Sequence, residues 1–461
     1  MVFKMKHNWS LLTALLLAVI SIYSCSPDEF GFTPTPSPGR TETEPSIRVP
    51  APEYKNVFIF YLMGYNNLTY FMQTNIRDIL RNPISNNQRD VVLILSHFIK
   101  KDYYTPTNPT LTKVSQNIDG SIQKDTLLIL PDNKIASSAE VLNEVLTYIH
   151  DNFEAERYGM LMSSHGSGWV PEGYLTKAPT LEYNYKLENN KAIPIALSRQ
   201  MMEVKPIPEP QRIHLPLVKS IGGHYPVSSS IEIEIPDLAK AIPFKLDYLI
   251  FDACLMGGIE VAYELRNVTN KIVSSQTEIL ADGMHYPSLC SNLFAKEGPD
   301  LVGICENYYK LYEQQSGTYR SCTISLLDCS KLDVLAQVTQ NILAQHRNEL
   351  NNVQDNRDHI QKYYRPRNDS TLDYYESHQQ WYYDFKDIIT NFSLSEEEYS
   401  AFESALADVV LYKAATEKFM NELVIKRHSG LSMYLPFTTD RDYLNNFYKT
   451  LEWNKATGLI Q

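Results

Sequence analysis

A histidine and a cysteine follow two apolar segments of this sequence, and together they could carry out nucleophilic chemistry. Residues 158–164 lead into His165 and Gly166, and residues 246–251 lead to Cys254. A free thiol has a pKa of ~8.5, and an imidazole can take its proton and later pass it to a leaving group. The N–H groups of Gly166 and Cys254 could form an oxyanion hole, in which each donor contributes roughly 10²–10³ in rate. On residue types alone, a loop histidine and a buried thiol are an equal alternative.

The elements that must position these residues alternate between strand and helix patterns. Continuous apolar runs predict buried strands, and apolar residues at helical spacing predict helices between them. The predicted strands are residues 57–62, 91–98, 111–117, 122–130, 158–164, 246–251, 271–275 and 322–327. Such alternation predicts an α/β fold, with a mostly parallel sheet and helices on both faces. Because parallel sheets place their sites at the carboxyl ends of the strands, we expect His165 and Cys254 to meet there.

The chain divides into four predicted regions. Residues 1–24 form a signal peptide, 25–52 a proline-rich tether, 53–330 a core with an insertion at 170–230, and 331–461 a mainly helical C-terminal region. Within the last region, helices are predicted around 331–349, 379–391 and 396–424, with a short closing strand at 431–435.

The N-terminus predicts export and a lipid anchor. Lys4 and Lys6 precede an apolar run over residues 11–20, too short for a mature membrane helix of roughly 20 residues, and Cys25 follows. Lipoprotein processing would make Cys25 the lipidated N-terminus, whereas ordinary signal cleavage is the alternative. The acidic pair after it, residues 28–29, resembles a surface-export tag of some Gram-negative lipoproteins. We therefore expect a cell-envelope protein, held at the outer membrane or cell surface through its lipid.

Composition excludes two classes of function. The net charge of −12 and the lack of a basic block argue against nucleic-acid binding. The six cysteines form no C-x-x-C pair and have no histidine cluster beside them, which argues against structural zinc. Buried free thiols are the expected state for most of these cysteines.

Ordered motifs identify a family resemblance. The segments HGSGW (165–169) and FDACLM (251–256) resemble the paired signature of clostripain-family cysteine peptidases, whose fold is similar to that of caspases and gingipains. Further matches occur in the same order, at YLMGYNNL (61–68), EVAYEL (260–265), SSQTE (274–278), DG (282–283) and SGLSMYLP (429–436). The resemblance implies a caspase-like α/β/α sandwich, with His165 as general base and Cys254 as nucleophile. Tyr65 and Met284 depart from the family pattern, although neither is a catalytic position.

The resemblance also implies a substrate preference and a mode of activation. Asp252 and Asp282 match acidic residues that select Arg or Lys before the cut bond, since a carboxylate in a partly dry pocket favours cations. From the residues alone, Asp252 could instead be a helix N-cap and Asp282 a turn residue. Relatives are often activated by cleavage after a basic residue between the histidine and the cysteine, for which Lys177 is the preferred candidate. An uncut surface loop is the alternative for the insertion.

The resemblance implies no required cofactor and leaves calcium open, since some relatives depend on it but no EF-hand-type loop occurs here. The leading hypothesis is therefore an exported cysteine endopeptidase that acts on protein or peptide substrates at Arg or Lys. A non-catalytic surface binding or adhesion lipoprotein on the same fold is the alternative. A serine hydrolase using Ser163 or Ser164 is weaker, because no G-x-S-x-G segment is present.

Overall fold

The computed structural model describes residues 52–85, 87–100, 105–172, 185–188, 191–194, 233–364, 381–436 and 442–461. The strands are β1 (Tyr54–Gly64), β2 (Asp90–Phe98), β3 (Thr110–Gln116), β4 (Ile122–Ile129), β5 (Ala155–Ser163), β6 (Tyr185–Glu188), β7 (Lys191–Pro194), β8 (Tyr248–Asp252), β9 (Lys271–Ser274), β10 (Thr323–Asp328), β11 (Tyr383–Asp384), β12 (Val410–Ala415), β13 (Lys418–Phe419), β14 (Leu423–Val424) and β15 (Ser432–Met433). The α-helices are α1 (Thr69–Arg81), α2 (Ala139–Asn152), α3 (Ile235–Ala241), α4 (Ile259–Leu265), α5 (Tyr286–Leu293), α6 (Leu301–Glu313), α7 (Leu332–Gln345), α8 (Leu350–Asp355), α9 (Phe385–Ile389), α10 (Glu396–Val409), α11 (Asp442–Thr450) and α12 (Glu452–Thr457).

One large sheet organises the described part of the chain. Its nine strands lie in the order β12-β10-β9-β8-β5-β1-β2-β3-β4. The central strands from β9 to β2 run parallel, and antiparallel strands extend the sheet on both sides. The predicted α/β class with a mostly parallel centre is therefore confirmed.

The direction of the crossovers places helices on both faces of this sheet. The connection from β1 to β2 through α1 moves along the sheet in one direction, whereas β5 to β8 through α3 and β8 to β9 through α4 move in the other. Because such crossovers are right-handed, α1 lies on the face opposite α3 and α4. The helix contacts agree: α1 packs on α5 and α5 on α6, while α2, α3, α4 and α7 form a separate connected set.

The central strands are buried on both faces, as their continuous apolar sequences predict. Every residue of β1 from Asn56 onward is buried, and so is every residue of β8. Two local sequence features outside the central strands also form the structures that they predict, a helix N-cap and a hairpin turn. Ser138 is the N-cap of α2 and accepts a hydrogen bond from the N–H of Val141, and Gly120 takes a φ of 85° in the β3–β4 turn.

The C-terminal region differs from its prediction in three places. The helix expected around 379–391 is confined to Phe385–Ile389, because Tyr383–Asp384 form β11 and pair with β15. The helix expected over 396–424 ends at Val409, because the next six residues form β12 and pair antiparallel with β10. Val410 and Tyr412 are types that favour strands, and the open edge of β10 supplies the partner. The strand β15 is also not the last element, since α11 and α12 follow it. Residues from Ala51 onward form one compact unit, so this region packs with the sheet.

Candidate active site

His165 and Cys254 lie in neighbouring loops at the carboxyl edge of the sheet. β5 ends at Ser163 and β8 ends at Asp252, and these two residues are partners in the parallel register. His165 and Cys254 each lie two residues beyond the end of their strand. The two segments therefore leave the sheet side by side and at the same level, which places the loop of the imidazole next to the loop of the thiol.

Two glycines let the two loops touch. A Cβ atom on Gly166 would clash with the carbonyl oxygen of Cys254 and would lie 3.1 Å from its backbone nitrogen. Gly168 has a φ of 60°, and a Cβ atom there would lie 2.6 Å from the carbonyl oxygen of Leu255. Only glycine allows the backbones to approach this closely at both positions. The two segments expected to supply oxyanion-hole N–H groups are thus in direct contact.

The Cys254 thiol is fully buried against the backbone of Ile279 in the neighbouring loop. The N–H of Ile279 donates to Sγ at 3.0 Å, and the carbonyl oxygen of Ile279 lies 3.7 Å from it. A donated N–H stabilises a thiolate. Leu255 has a φ of 62°, in the left-handed region that is costly for a non-glycine residue by about 1–3 kcal/mol, and its N–H donates to Thr277. This strained turn directs Cys254 toward Ile279.

Asn67 is a site residue to which the sequence pattern assigned no role. Its Oδ1 lies 2.8 Å from Nε2 of His165. Asn67 belongs to the turn between β1 and α1, and β1 is the strand next to β5, with Leu62 opposite Ser163. The available signal was its place in the YLMGYNNL motif directly after a buried strand. Its approach to His165 could not be predicted from the sequence, because the sequence does not show that β1 and β5 are neighbours in the sheet.

Asp252 and Asp282 occupy different environments. Asp252 is fully buried, and its Oδ2 accepts hydrogen bonds from the hydroxyl groups of Ser163 at 2.8 Å and Tyr286 at 2.6 Å. Burial, and then the charge of Asp252, raises the pKa of the Tyr286 phenol well above its usual range. Asp252 is not the N-cap of α4, since Gly258 holds that position. The hydrogen bonds from Ser163 and Tyr286 instead explain how the Asp252 carboxylate can be buried here.

The Asp282 side chain is exposed, and it lies in a turn closed by a hydrogen bond from the N–H of Gly283 to the carbonyl of Leu280 at 2.9 Å. Gly283 has a φ of 75°, which a turn of this kind requires. Tyr312 donates to the carbonyl oxygen of Gly283 at 2.7 Å and holds the turn in place. Asp282 is therefore a turn residue whose carboxylate is also accessible to solvent.

The other four described cysteines are buried free thiols, as expected for most of them. Burial raises the pKa of Cys290, Cys322 and Cys329 to about 12 and that of Cys305 still further, so these thiols are poor nucleophiles at neutral pH. Within the described residues, no group of three His, Cys, Asp or Glu side chains is arranged to hold a metal ion.

Several predicted features of the chain lie outside the described residues, among them the signal peptide and nearly all of the proline-rich tether. They also include the lipidation site Cys25 and Lys177, the candidate for processing, together with most of the insertion at 170–230. Among the helices that are described, none is both long and apolar enough to cross a membrane.

Comparison with family models matches residues 60–196 and 224–458 to the clostripain family. The matched ranges contain both candidate catalytic residues and both aspartates. A comparison with curated proteins finds no match.

Several solved structures share the fold. An inactive zymogen C11 protease from Parabacteroides distasonis is 25% identical with a TM-score of 0.65, over 89% of this chain and 99% of that chain. A secreted C11 cysteine protease from Bacteroides thetaiotaomicron, iotapain, is 24% identical with a TM-score of 0.64, over 88% and 100%. A secreted C11 cysteine protease from the same organism, in complex with an irreversible peptide inhibitor, is 19% identical with a TM-score of 0.62, over 88% and 99%. The expected caspase-like sandwich is thereby confirmed.

Proposed function

The chain belongs to the clostripain family of cysteine peptidases, and we propose that it cleaves peptide bonds after Arg or Lys. Cys254 is the nucleophile and His165 the general base of this proposal. The observation that carries it is the contact between the two loops at Gly166, where a Cβ atom would clash with the carbonyl oxygen of Cys254. This contact brings the backbone of the histidine loop against Cys254 itself, as a shared reaction centre requires.

The reaction follows from the chemistry of the two side chains. His165 takes the proton of Cys254, and the thiolate attacks the carbonyl carbon of the scissile bond. The electron pair of that carbonyl moves to its oxygen, which the N–H groups of Gly166 and Cys254 stabilise. His165 then protonates the amine nitrogen, the C–N bond breaks and a thioester remains. Water, deprotonated by His165, hydrolyses the thioester and restores the thiol. No cofactor enters these steps.

The preference for Arg or Lys is assigned to the two aspartates in unequal roles. Asp282 contacts the cationic side chain of the substrate in this proposal, because the Asp282 side chain is exposed whereas that of Asp252 is fully buried. Asp252 shapes the floor of the pocket through its bonds with Ser163 and Tyr286. A charge-assisted hydrogen bond to Asp282 would favour Arg and Lys over neutral residues by roughly 1.5–3 kcal/mol.

Activation by cleavage between His165 and Cys254 is part of the proposal. The Cys254 side chain has 0% exposure, so a substrate could not reach the sulfur in this form. A resting form of this kind agrees with the likeness to a protease described as an inactive zymogen. Lys177 is the first candidate for the cut, because it is the basic residue of the insertion nearest to His165 in sequence.

The N-terminal sequence supports export and anchoring of the enzyme through lipid on Cys25, after a proline-rich tether that holds the peptidase away from the membrane. Intact mass and N-terminal sequencing of the wild type and of Cys254→Ala would test this and the activation step together. The expected results are a lipid mass on Cys25 in both proteins and a cut after a basic residue of the insertion in the wild type alone. A cut in both proteins would show that another protease makes it.

Fluorogenic peptides that end in Arg, Lys or a neutral residue test the activity. We expect Cys254→Ala to lose at least ~10³-fold in kcat/KM, whereas the matched variant Cys329→Ala keeps the wild-type value, since Cys329 is a buried thiol outside the site. Asp282→Asn should lose roughly 10–100-fold on Arg and Lys peptides and little on the neutral one. Equal rates for the wild type and Cys254→Ala would rule out Cys254 as the nucleophile, and no cleavage by either protein would favour the non-catalytic binding protein.

A further inference from the structure

Asn67 contacts one of the two ring nitrogens of His165. Its Oδ1 lies 2.8 Å from Nε2, although the two residues are 98 positions apart in the sequence. We propose that Asn67 is a positioning residue that holds the His165 imidazole in the tautomer able to take the proton of Cys254. This inference rests on the proposed roles of His165 and Cys254.

The tautomer follows from the chemistry of an amide oxygen. Such an oxygen only accepts hydrogen bonds, so Nε2 of His165 must carry a proton when it faces Oδ1 of Asn67. A neutral imidazole has one protonated nitrogen, and the lone pair therefore lies on Nδ1. Nδ1 is then the atom that accepts the proton of the thiol. Once the ring is charged, Nε2 still donates to the same oxygen, and the bond becomes stronger because its donor is ionised.

The turn that carries Asn67 is held in place by its neighbours. The N–H of Leu68 donates to Oδ1 of Asn66 at 2.9 Å, and Nδ2 of Asn66 donates to the carbonyl oxygen of Met63 at 3.2 Å. Ser164, from the histidine loop, donates its hydroxyl to the same Met63 oxygen at 3.3 Å. The loops after β1 and β5 are thus tied to each other independently of the contact between Asn67 and His165.

Because these hydrogen bonds do not involve the Asn67 side chain, Asn67 can be substituted without disrupting the conformation of the turn. The backbone of the turn depends on Asn66, whereas the Asn67 side chain is half-buried and reaches across to the imidazole. A side chain that fixes ring orientation should affect the rate of the chemical step more than substrate binding. It should also change how the pair of His165 and Cys254 responds to pH, which a merely structural residue would not do.

Steady-state kinetics across the pH range test the proposal on the activated enzyme. Asn67→Ala should lower kcat by ~100-fold at the pH optimum with KM within about twofold of the wild type, and its pH profile should differ from that of the wild type. Asn67→Asp keeps an acceptor oxygen and should recover at least about tenfold of that loss. Its negative charge holds protons on the pair, so both limbs of its bell-shaped profile should move to higher pH. Asn117→Ala, on an exposed hairpin turn, is the matched control and should equal the wild type.

A readout without substrate separates this inference from the proposed function. Because Cys254 is fully buried in the uncut form, the insertion of each protein is first cut with an added protease. Alkylation of Cys254 by iodoacetamide, followed by mass spectrometry of its peptide, should then be about tenfold slower in Asn67→Ala than in the wild type near pH 6. A wild type that cleaves no peptide would defeat the proposed function, and the alkylation rates would still decide the role of Asn67. Equal alkylation or equal kcat in Asn67→Ala and the wild type would overturn the inference. The inference would also be overturned if Asn67→Ala lost kcat together with a lower melting temperature while the pH profile of Asn67→Asp stayed at the wild-type position.

Discussion

Replacing Glu260 with glutamine is expected to remove a pH dependence from the stability of this fold. Glu260 lies in α4, the helix after the Cys254 loop, and its side chain is fully buried. Its Oε1 accepts hydrogen bonds from the N–H of Tyr434 at 2.7 Å and the hydroxyl of Tyr448 at 2.8 Å. Burial raises the pKa of Glu260 to about 7, against the opposing effect of these hydrogen bonds. The carboxyl that connects α4 to the residue after β15 and to α11 is therefore protonated in mild acid.

The sign of the effect follows from the protons bound in each state. The ordinary pKa of the group is 4.5, and in the folded protein it is about 7. Between these values the folded protein holds a proton that the unfolded chain has lost, so the free energy of unfolding falls as pH rises. The stabilisation is fully present below pH 4.5 and is lost as pH rises through about 7. At about 1.36 kcal/mol per pH unit, the gap corresponds to roughly 3 kcal/mol.

Glutamine keeps the acceptor oxygen and has no charge at any pH. Its amide nitrogen would replace Oε2, for which the described residues offer no hydrogen-bond partner, at a cost of ~1–3 kcal/mol that does not vary with pH. The free energy of unfolding of Glu260→Gln relative to the wild type should therefore rise by roughly 3 kcal/mol from acid to mildly alkaline pH. Urea unfolding followed by circular dichroism at a series of pH values measures this difference.

The control is Glu397→Gln, at an exposed position in the first turn of α10, where the difference from the wild type should stay within ~0.5 kcal/mol. Parallel pH curves for Glu260→Gln and the wild type would refute the reasoning, because they would mean that the buried carboxyl titrates alike in the folded and unfolded chains.

Two further substitutions test two separate features: the contact between the His165 and Cys254 loops, and the hydrogen bonding of the buried Asp252 carboxylate. Gly166→Ala should abolish cleavage of Arg peptides, because its Cβ would displace the backbone of Cys254, and an unchanged kcat/KM would contradict this. Tyr286→Phe should lower the free energy of unfolding at neutral pH by ~1–3 kcal/mol, because buried Asp252 loses a hydrogen-bond donor, and an unchanged urea midpoint would contradict it.

Much of the fold could be predicted because its signals are local. The apolar run in β1 specifies a strand buried on both faces whatever its neighbours are, and Ser138 begins α2 through its own bond to Val141. Gly120 takes the positive φ that the hairpin turn needs. The position of His165 and Cys254 at the carboxyl edge of the sheet could also be predicted, because the edge at which a strand ends follows from the direction of the chain.

The limits of prediction appear where a partner distant in sequence decides the structure. The helix expected over 396–424 stops at Val409 because β10 offers an edge for β12, and no residue within that segment reports this edge. The same limit applies to Asp252, whose burial depends on the hydroxyl of Tyr286, 34 residues further along the chain.

The sequence by itself therefore determined the α/β class, the strands that carry the site and the identity of a histidine and a cysteine at their ends, because these depend on periodicity and residue type. Only the tertiary structure decided that β1 lies beside β5, that Asn67 reaches His165, and that Asp252 is buried while Asp282 is exposed. The physical reason is that strand order and burial are set by contacts between distant segments, which the pattern within each segment does not record.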